Sequence, residues 1–209
     1  MSRGLLFTVS GPSGVGKGTI CKALVARMPD VALSISCTTR PIRAGEAEGV
    51  SYFFIEEIAF DGMIEREEFL EFAGIYGKRY GTPASYVDSM LDSGRDVILE
   101  IDMQGSRQVM DKRPDAIGVF VLPPDFPSLK ARLLGRATEK PEQVALRMAN
   151  FPVEMEYVWS YDYVCVNEKL DEAVDRLEAI IRAERMKTGR NEARINQIIE
   201  SYSGGKSND

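Results

Sequence analysis

The 209-residue chain contains no histidine. That absence excludes Ser-His-Asp and Cys-His nucleophilic sites and every histidine-ligated metal centre. Cysteine is sparse: Cys21, Cys37 and Cys165 lie far apart, without metal-ligand spacing. An odd, scattered set reads as reduced thiols in a cytoplasm, with Cys21 and Cys165 as small core residues. No apolar run reaches the ~18 residues a membrane span needs. The N-terminus enters a strand directly, with no signal-peptide pattern. Lys and Arg number 26 against 32 Asp and Glu, for a net charge of −6. So acidic a chain is a poor non-specific nucleic-acid binder, and any anionic ligand must be held by local cations. Neither nucleic acid nor membrane is expected as a partner; a monomer and a homo-oligomer stay equally open.

What is present is an ordinary globular mixture, 44% apolar and 28% charged, on a length that gives one or two domains and a sizeable core. Its organising stretch is Gly11-Pro12-Ser13-Gly14-Val15-Gly16-Lys17-Gly18-Thr19. An apolar run, Gly4 to Val9, precedes it as a buried strand. Helical spacing follows from Ile20 to Met28. Strand, glycine-rich turn and helix form the context of a phosphate-binding loop. Glycines let successive backbone N–H groups turn around an anion, the helix points its positive end there, and Lys17 adds a full charge. Gly11 and Gly16-Lys17 keep the spacing G-x-x-x-x-G-K-[ST]. Gly18 breaks the last position, and the hydroxyl comes one residue later at Thr19.

Val31 to Ser36 alternates as a second strand. Ser36 to Glu46 is a hydroxyl-rich loop with Arg40 and Arg43 three apart, an arrangement suited to phosphate oxygens or to plain solvation. Val50–Ile55 and Phe69–Ala73 read as strands, Ile58–Glu67 as a helix, and Ile75–Thr82 as a hairpin-like stretch. Pro83 opens a helix to about Ser93. Asp96–Asp102 is a strand ending in acids, which in an open α/β sheet face the ligand crevice. A helix over Gln104–Lys112, a core strand over Ile117–Leu122 and a helix over Ser128–Arg136 follow. Arg132 and Arg136, at i and i+4, share one face of that last helix. Ala137–Pro141 breaks the pattern before a helix from Glu142 to Tyr157 carrying Arg147. A last strand, Tyr161–Val166, ends in Asn167. Leu170–Met186 and Arg194–Tyr202 are helices, and Ser203–Asp209 is a polar tail. The alternation of strands and helices predicts an α/β fold: a P-loop NTPase-type open parallel sheet with helices on both faces. Two insertions interrupt it, one small and β-rich, the other a helical lid. The expected division is 1–36 core, 37–93 insertion, 94–124 core, 125–150 lid, and 151–209 core with C-terminal helices and a flexible tail.

These motifs resemble the bacterial guanylate kinases over nearly the whole chain. Gly11 to Lys17 is similar to that family's P-loop and Ser36 to Glu46 to its GMP phosphate loop; Tyr80-Gly81-Thr82 and Ile101-Asp102-Met103-Gln104-Gly105 also match. The resemblance implies Mg²⁺-dependent phosphoryl transfer from ATP to GMP, and to dGMP, giving ADP and GDP. It implies that Gly11, Pro12, Ser13, Gly14, Val15, Gly16, Lys17, Gly18 and Thr19 hold ATP, with Asn167 near its base. Ser36, Arg40, Arg43, Tyr52 and Tyr80 would hold the GMP phosphate. Glu71 and Thr82 would read guanine, with help from Asp102 or Glu100. Lys17, Arg43, Arg132, Arg136 and Arg147 would act on the transferring group, the last three from the lid. Thr19 and Asp102 are the candidate protein contacts to a metal held mostly by phosphates and water. Two positions depart from the family pattern: Gly18, where a serine is common, and Glu100, where an aspartate is common. The chemistry agrees independently, because a phosphate acceptor is already an anion and its phosphorylation needs alignment and charge neutralisation, not a histidine base. Two rivals remain in view: a kinase of another nucleoside monophosphate, and a scaffold module of the same fold that binds protein ligands.

Overall fold

The structure is a computed structural model and describes residues 3–75, 77–135 and 141–204. A five-stranded sheet forms the centre, in the order β2-β7-β1-β8-β9. The strands are β1 (Leu6–Ser10), β2 (Val31–Leu33), β7 (Asp96–Glu100), β8 (Ile117–Leu122) and β9 (Tyr163–Val166). Every pairing in it is parallel. Such a sheet is buried on both faces, which is why its strands read as continuous apolar runs. Alternation along each strand divides the core. On β7, Ile98 faces one cluster while Val97 and Leu99 face the other. The first cluster receives α1 (Lys17–Arg27), α5 (Phe126–Leu134), α6 (Pro141–Glu156) and α7 (Leu170–Arg185). The second receives α3 (Ala84–Asp92) and α4 (Met103–Lys112). The expected fold class is borne out, and Cys21 and Cys165 are buried in the first cluster. A last helix, α8 (Glu192–Gly204), follows α7. No helix among the described residues is long and apolar enough to cross a membrane.

A second sheet, β4-β3-β6-β5, is built from β3 (Cys37–Thr38), β4 (Phe53–Phe54), β5 (Phe69–Ile75) and β6 (Lys78–Pro83). Helix α2 (Glu57–Glu65) packs on it through Phe60, in a cluster with Cys37 and Phe69. Several boundaries differ from the sequence reading. The alternation over 31–36 carries only three residues of strand in the main sheet, and the chain then crosses to the second sheet, where Cys37 and Thr38 pair with β6. Of 50–55 only Phe53–Phe54 is strand, because its partner β3 is two residues long. Pro83 closes β6 and precedes α3 instead of opening it. Strand β7 stops at Glu100, since Asp102 caps α4 by accepting the Gly105 N–H at 2.8 Å. Helix α5 starts at Phe126 because Asp125 accepts the Ser128 N–H at 2.7 Å. Pro141, expected in a break, is instead the first residue of α6, where a missing N–H costs nothing. Ser203 and Gly204, expected in the tail, instead end α8. Positions 136–140 and 205–209 lie outside the described residues.

Candidate active site

Strand order reverses at β1, whose neighbours are β7 and β8. A crevice opens beyond the carboxyl ends of such strands, and β1 feeds the glycine-rich loop into it. Gly11, Gly14 and Gly16 all have positive φ. Gly16, at 101°, also admits no side chain, since a Cβ there would lie 2.5 Å from Asn167 Nδ2. Buried Asn167 donates from Nδ2 to the Val15 carbonyl at 2.7 Å, fixing the loop from behind. Lys17, the first residue of α1, donates to the Gly11 carbonyl at 2.6 Å. Burial lowers its pKa, while Glu100 and Glu154 pull it back up.

Helices α5 and α6 reach the same loop. Arg132 on α5 donates to the carbonyls of Val15 at 3.2 Å and Asn167 at 2.8 Å. Arg147 on α6 donates to Ser13 Oγ at 2.6 Å. Glu154, also on α6, accepts the Ser13 N–H at 3.4 Å. Arg136 lies outside the described residues.

Two cavities flank Lys17. One, of about 490 Å³, is lined by Ser13, Gly14, Gly16, Lys17, Gly18, Thr19, Lys22 and Glu100. The other, of about 400 Å³, is lined by Gly11, Ser13, Lys17, Ser36, Tyr52, Glu71, Ala73, Tyr80, Glu100, Ile101, Asp102, Met103 and Glu154. They share Ser13, Lys17 and Glu100, so two ligands would meet at one ammonium.

The second cavity has a cationic-aromatic wall and an acidic one. Arg40 is buried, with its guanidinium 5.4 Å from the Tyr52 ring centre and 5.8 Å from that of Phe54. Its Nη1 and Nη2 fork Glu46 at 3.0 and 2.7 Å, which raises the arginine pKa further. Tyr52 and Tyr80 meet edge to face. Arg43 is exposed on the same loop.

On the other wall, Glu71 is 5% exposed and accepts from Thr82 Oγ1 at 2.6 Å. A register shift between Phe69 and Glu71 places it there. The shift breaks simple alternation: Phe69 and Phe72, three apart, come to within 6.3 Å between ring centres, while Glu71 and Ala73 line the cavity. Gly105 backs the carboxylate: a Cβ on it would lie 2.8 Å from Glu71 Oε2. Burial pushes Glu71 up to about 7, with Asp102 adding to the rise and Thr82 and Lys112 opposing it.

The fold thus gathers Lys17, Ser36, Tyr52, Glu71, Tyr80, Glu100 and Asp102 around one cavity and sets Arg40 behind its wall. Of these two cavities, Thr19 lines only the first and Asp102 only the second, so the two candidate metal contacts do not share one. Glu46 and Glu154 were missed as site residues. Glu46 sits within the arginine loop at a spacing that suggests a partner; Glu154 carries no local signal, being brought in by α6. Among the described residues no group of three His, Cys, Asp or Glu side chains could hold a metal ion.

Comparison with known proteins covers nearly the whole chain. The family model described as guanylate kinase matches residues 4–184. A guanylate kinase of Symbiobacterium thermophilum is 50% identical over 94% of this chain and 93% of its own. One from Caldanaerobacter subterraneus is 47% identical over 90% and 92%. The crystal structure of guanylate kinase from Anaplasma phagocytophilum superposes with a TM-score of 0.72 at 32% identity, covering 90% of each chain. Two adjoining cavities joined at a P-loop lysine and a match of this extent lead to one statement: the chain belongs to the guanylate kinase family.

Proposed function

We propose that the chain transfers the γ-phosphoryl group of ATP to GMP, giving ADP and GDP, and accepts dGMP in the same site. The observation that carries the reading is the meeting of the two cavities at Lys17, with a buried carboxylate, Glu71, on the wall of the second. ATP phosphates would lie in the loop over Gly11–Thr19, with the base toward Asn167. The acceptor phosphate would lie against Ser36, Arg43, Tyr52 and Tyr80, with the remaining N–H groups of Arg40 turned to it. Guanine would present N1–H and its exocyclic amine to Glu71, and the Thr82 hydroxyl, which donates to Glu71 in the structure, would turn its proton to O6 as those N–H groups take its place. Adenine has no N1–H to offer, so one carboxylate cannot pair with it in this way.

The acceptor oxygen is already anionic, so no base is required; alignment and charge neutralisation remain. Lys17 and Arg147 stand at the junction for this, and Arg132 and Arg136 would complete the lid side. We assign residues 37–93 to acceptor binding and 125–150 to the lid. Mg²⁺ fits the site: a cation carried on phosphates needs only one or two protein oxygens, and Thr19 and Glu100 offer them on the P-loop cavity. When bound it offsets phosphate charge. The three buried thiols suit a reducing compartment, and we assign the enzyme to the cytoplasm and to purine nucleotide recycling.

The test is ADP release with GMP, dGMP, AMP, UMP, CMP and dTMP as acceptors. GMP is expected to have the highest kcat/KM, ahead of dGMP. Preference for another base, or no turnover with any acceptor, overturns the reading.

A further inference from the structure

Glu71 owes its place to an irregularity in β5, and that irregularity is held from outside the small sheet. β5 is the last strand in the order β4-β3-β6-β5, so its outer edge has no strand beside it. Its register against β6 passes from Phe69 opposite Pro83 to Glu71 opposite Thr82 and skips Leu70. In a regular strand, backbone groups three residues apart point to opposite edges. Here the carbonyl of Phe69 and both the N–H and the carbonyl of Phe72 turn outward, to α4.

Lys112 donates from Nζ to the Phe69 carbonyl at 2.7 Å. Gln108 accepts the Phe72 N–H on Oε1 at 3.2 Å and donates from Nε2 to the Phe72 carbonyl at 3.1 Å. One amide side chain thus makes the pair of bonds that a neighbouring strand would make. Leu70, 2% exposed, sits in one cluster with Val109 of the same helix. One turn back on α4, Gly105 stands against the Glu71 carboxylate. Positions 105, 108, 109 and 112 share one face of a helix, and that face meets the bulged strand along its length. Gln108 and Lys112 do not line the acceptor cavity themselves. Side chains alternate with a period of two along a strand, so a one-residue slip that removed the bulge would carry Glu71 to the face away from the cavity. Burial disfavours the charged carboxylate where it stands, which favours such a slip unless the strand is held.

We propose that Gln108 and Lys112 are positioning residues for base recognition: by fastening the outer edge of β5 to α4 they fix the bulge, and with it the direction of Glu71. This rests on the reading of Glu71 as the residue that meets guanine. Neither residue touches the acceptor; their effect passes through Glu71. Gln108 is neutral, so its loss changes the hold on the strand without changing the charge near the carboxylate.

The test is steady-state kinetics with GMP and AMP for Gln108→Met, Lys112→Met and each of these combined with Glu71→Gln. Methionine is a good helix former, and thermal melting reports folding. Each single variant is expected to raise KM for GMP and lower the GMP-to-AMP ratio of kcat/KM at least about fivefold, with kcat and KM for ATP within about threefold of wild type. Lys112→Arg, which keeps both the charge and a donor for the Phe69 carbonyl, should hold the ratio within about threefold. In the Glu71→Gln background neither methionine should lower the ratio further, the non-additivity of residues that act through one another. Hydrogen exchange gives a readout without turnover: the Phe72 amide should lose protection in Gln108→Met. Ratios within about threefold of wild type in both folded methionine variants, or losses that add in full to that of Glu71→Gln, overturn the proposal. So does a Phe72 amide as protected in Gln108→Met as in wild type. A wild-type preference for another base, or a ratio unmoved by Glu71→Gln, sinks the reading of Glu71 itself, and the proposed role of the clamp with it.

Discussion

At the scale of single residues the site is governed by what surrounds one carboxylate. Glu71 is held between Thr82 and the backbone of Gly105, and burial raises it to about 7. The sign has two consequences. A carboxyl raised in the folded state adds stability that is complete below the ordinary carboxylate range and lost as pH rises through about 7. Guanine recognition by Glu71, as proposed, would run the other way, because only the ionised form can accept two N–H groups. kcat/KM for GMP should therefore rise as pH passes 7, falling about tenfold from pH 8 to pH 6. Part of any such profile belongs to the GMP phosphate, so the comparison is with Glu71→Gln, in which the enzyme's own step should vanish. An identical profile in the variant would remove Glu71 from the assignment. In the same variant the GMP-to-AMP ratio of kcat/KM should drop at least about tenfold, as expected when charge-assisted bonds of about 1.5–3 kcal/mol each are weakened. A change under about threefold, below ~1 kcal/mol, would speak against base reading by Glu71.

At the scale of elements, three junctions deliver these residues. The β-bulge in β5 puts Phe69 and Phe72 on one side and turns Glu71 toward the cavity. The start of α4 is set by Asp102, whose carboxylate caps Gly105. Asp102→Ala should thus lower the melting temperature, since an N-cap contributes about 1 kcal/mol, which corresponds to about 2–4 °C in a chain of this size. Calorimetry and GMP kinetics together separate its roles: a pure cap leaves KM for GMP near wild type once the protein is folded. A KM increase of about tenfold or more would make Asp102 a guanine contact as well. The third junction is α6, from which Arg147 reaches Ser13. Arg147→Ala should lower kcat by about a hundredfold and move KM for GMP far less, because a group that strengthens its contact as charge redistributes contributes differential binding. Unchanged kcat would return Arg147 to a purely structural role on the loop.

At the scale of the whole molecule, a rigid parallel sheet presents two attachments to one crevice. The small sheet β4-β3-β6-β5 is the proposed acceptor wall, and α5 and α6 the proposed lid side. Helix α4 packs on both β1 and β5 and so ties the small sheet to the main one. If the attachments close on bound substrates, as proposed, they would approach one another and exclude water before phosphoryl transfer. The three native thiols are buried, so dyes can be placed on Ile42→Cys and Ala149→Cys, both exposed positions. Energy transfer between them should rise when ADP and GMP are added together, and rise less with either alone. Equal transfer in all states would mean that the described arrangement already works without closure.

The sequence by itself determined the frame and the chemistry of the donor side. Continuous apolar strands joined by periodic helices leave few ways to bury both faces of a sheet, and a glycine loop ending in Lys17 is local geometry that needs no distant partner. It also marked Glu71, although by an alternation that the bulge then broke; a bulge follows from pairing with β6, which no local pattern reports. Tertiary structure alone decided the rest. The register of β7 against β1 and the packing of α1 put Glu100 against Gly18, across 82 residues of chain. The seating of α6 brought Glu154 and Arg147 to Ser13. Cap competition turned Asp102 from the end of a strand into the start of a helix. Local spacing fixes what each segment can do; which side chains meet depends on distances that close only when the sheets and helices have packed.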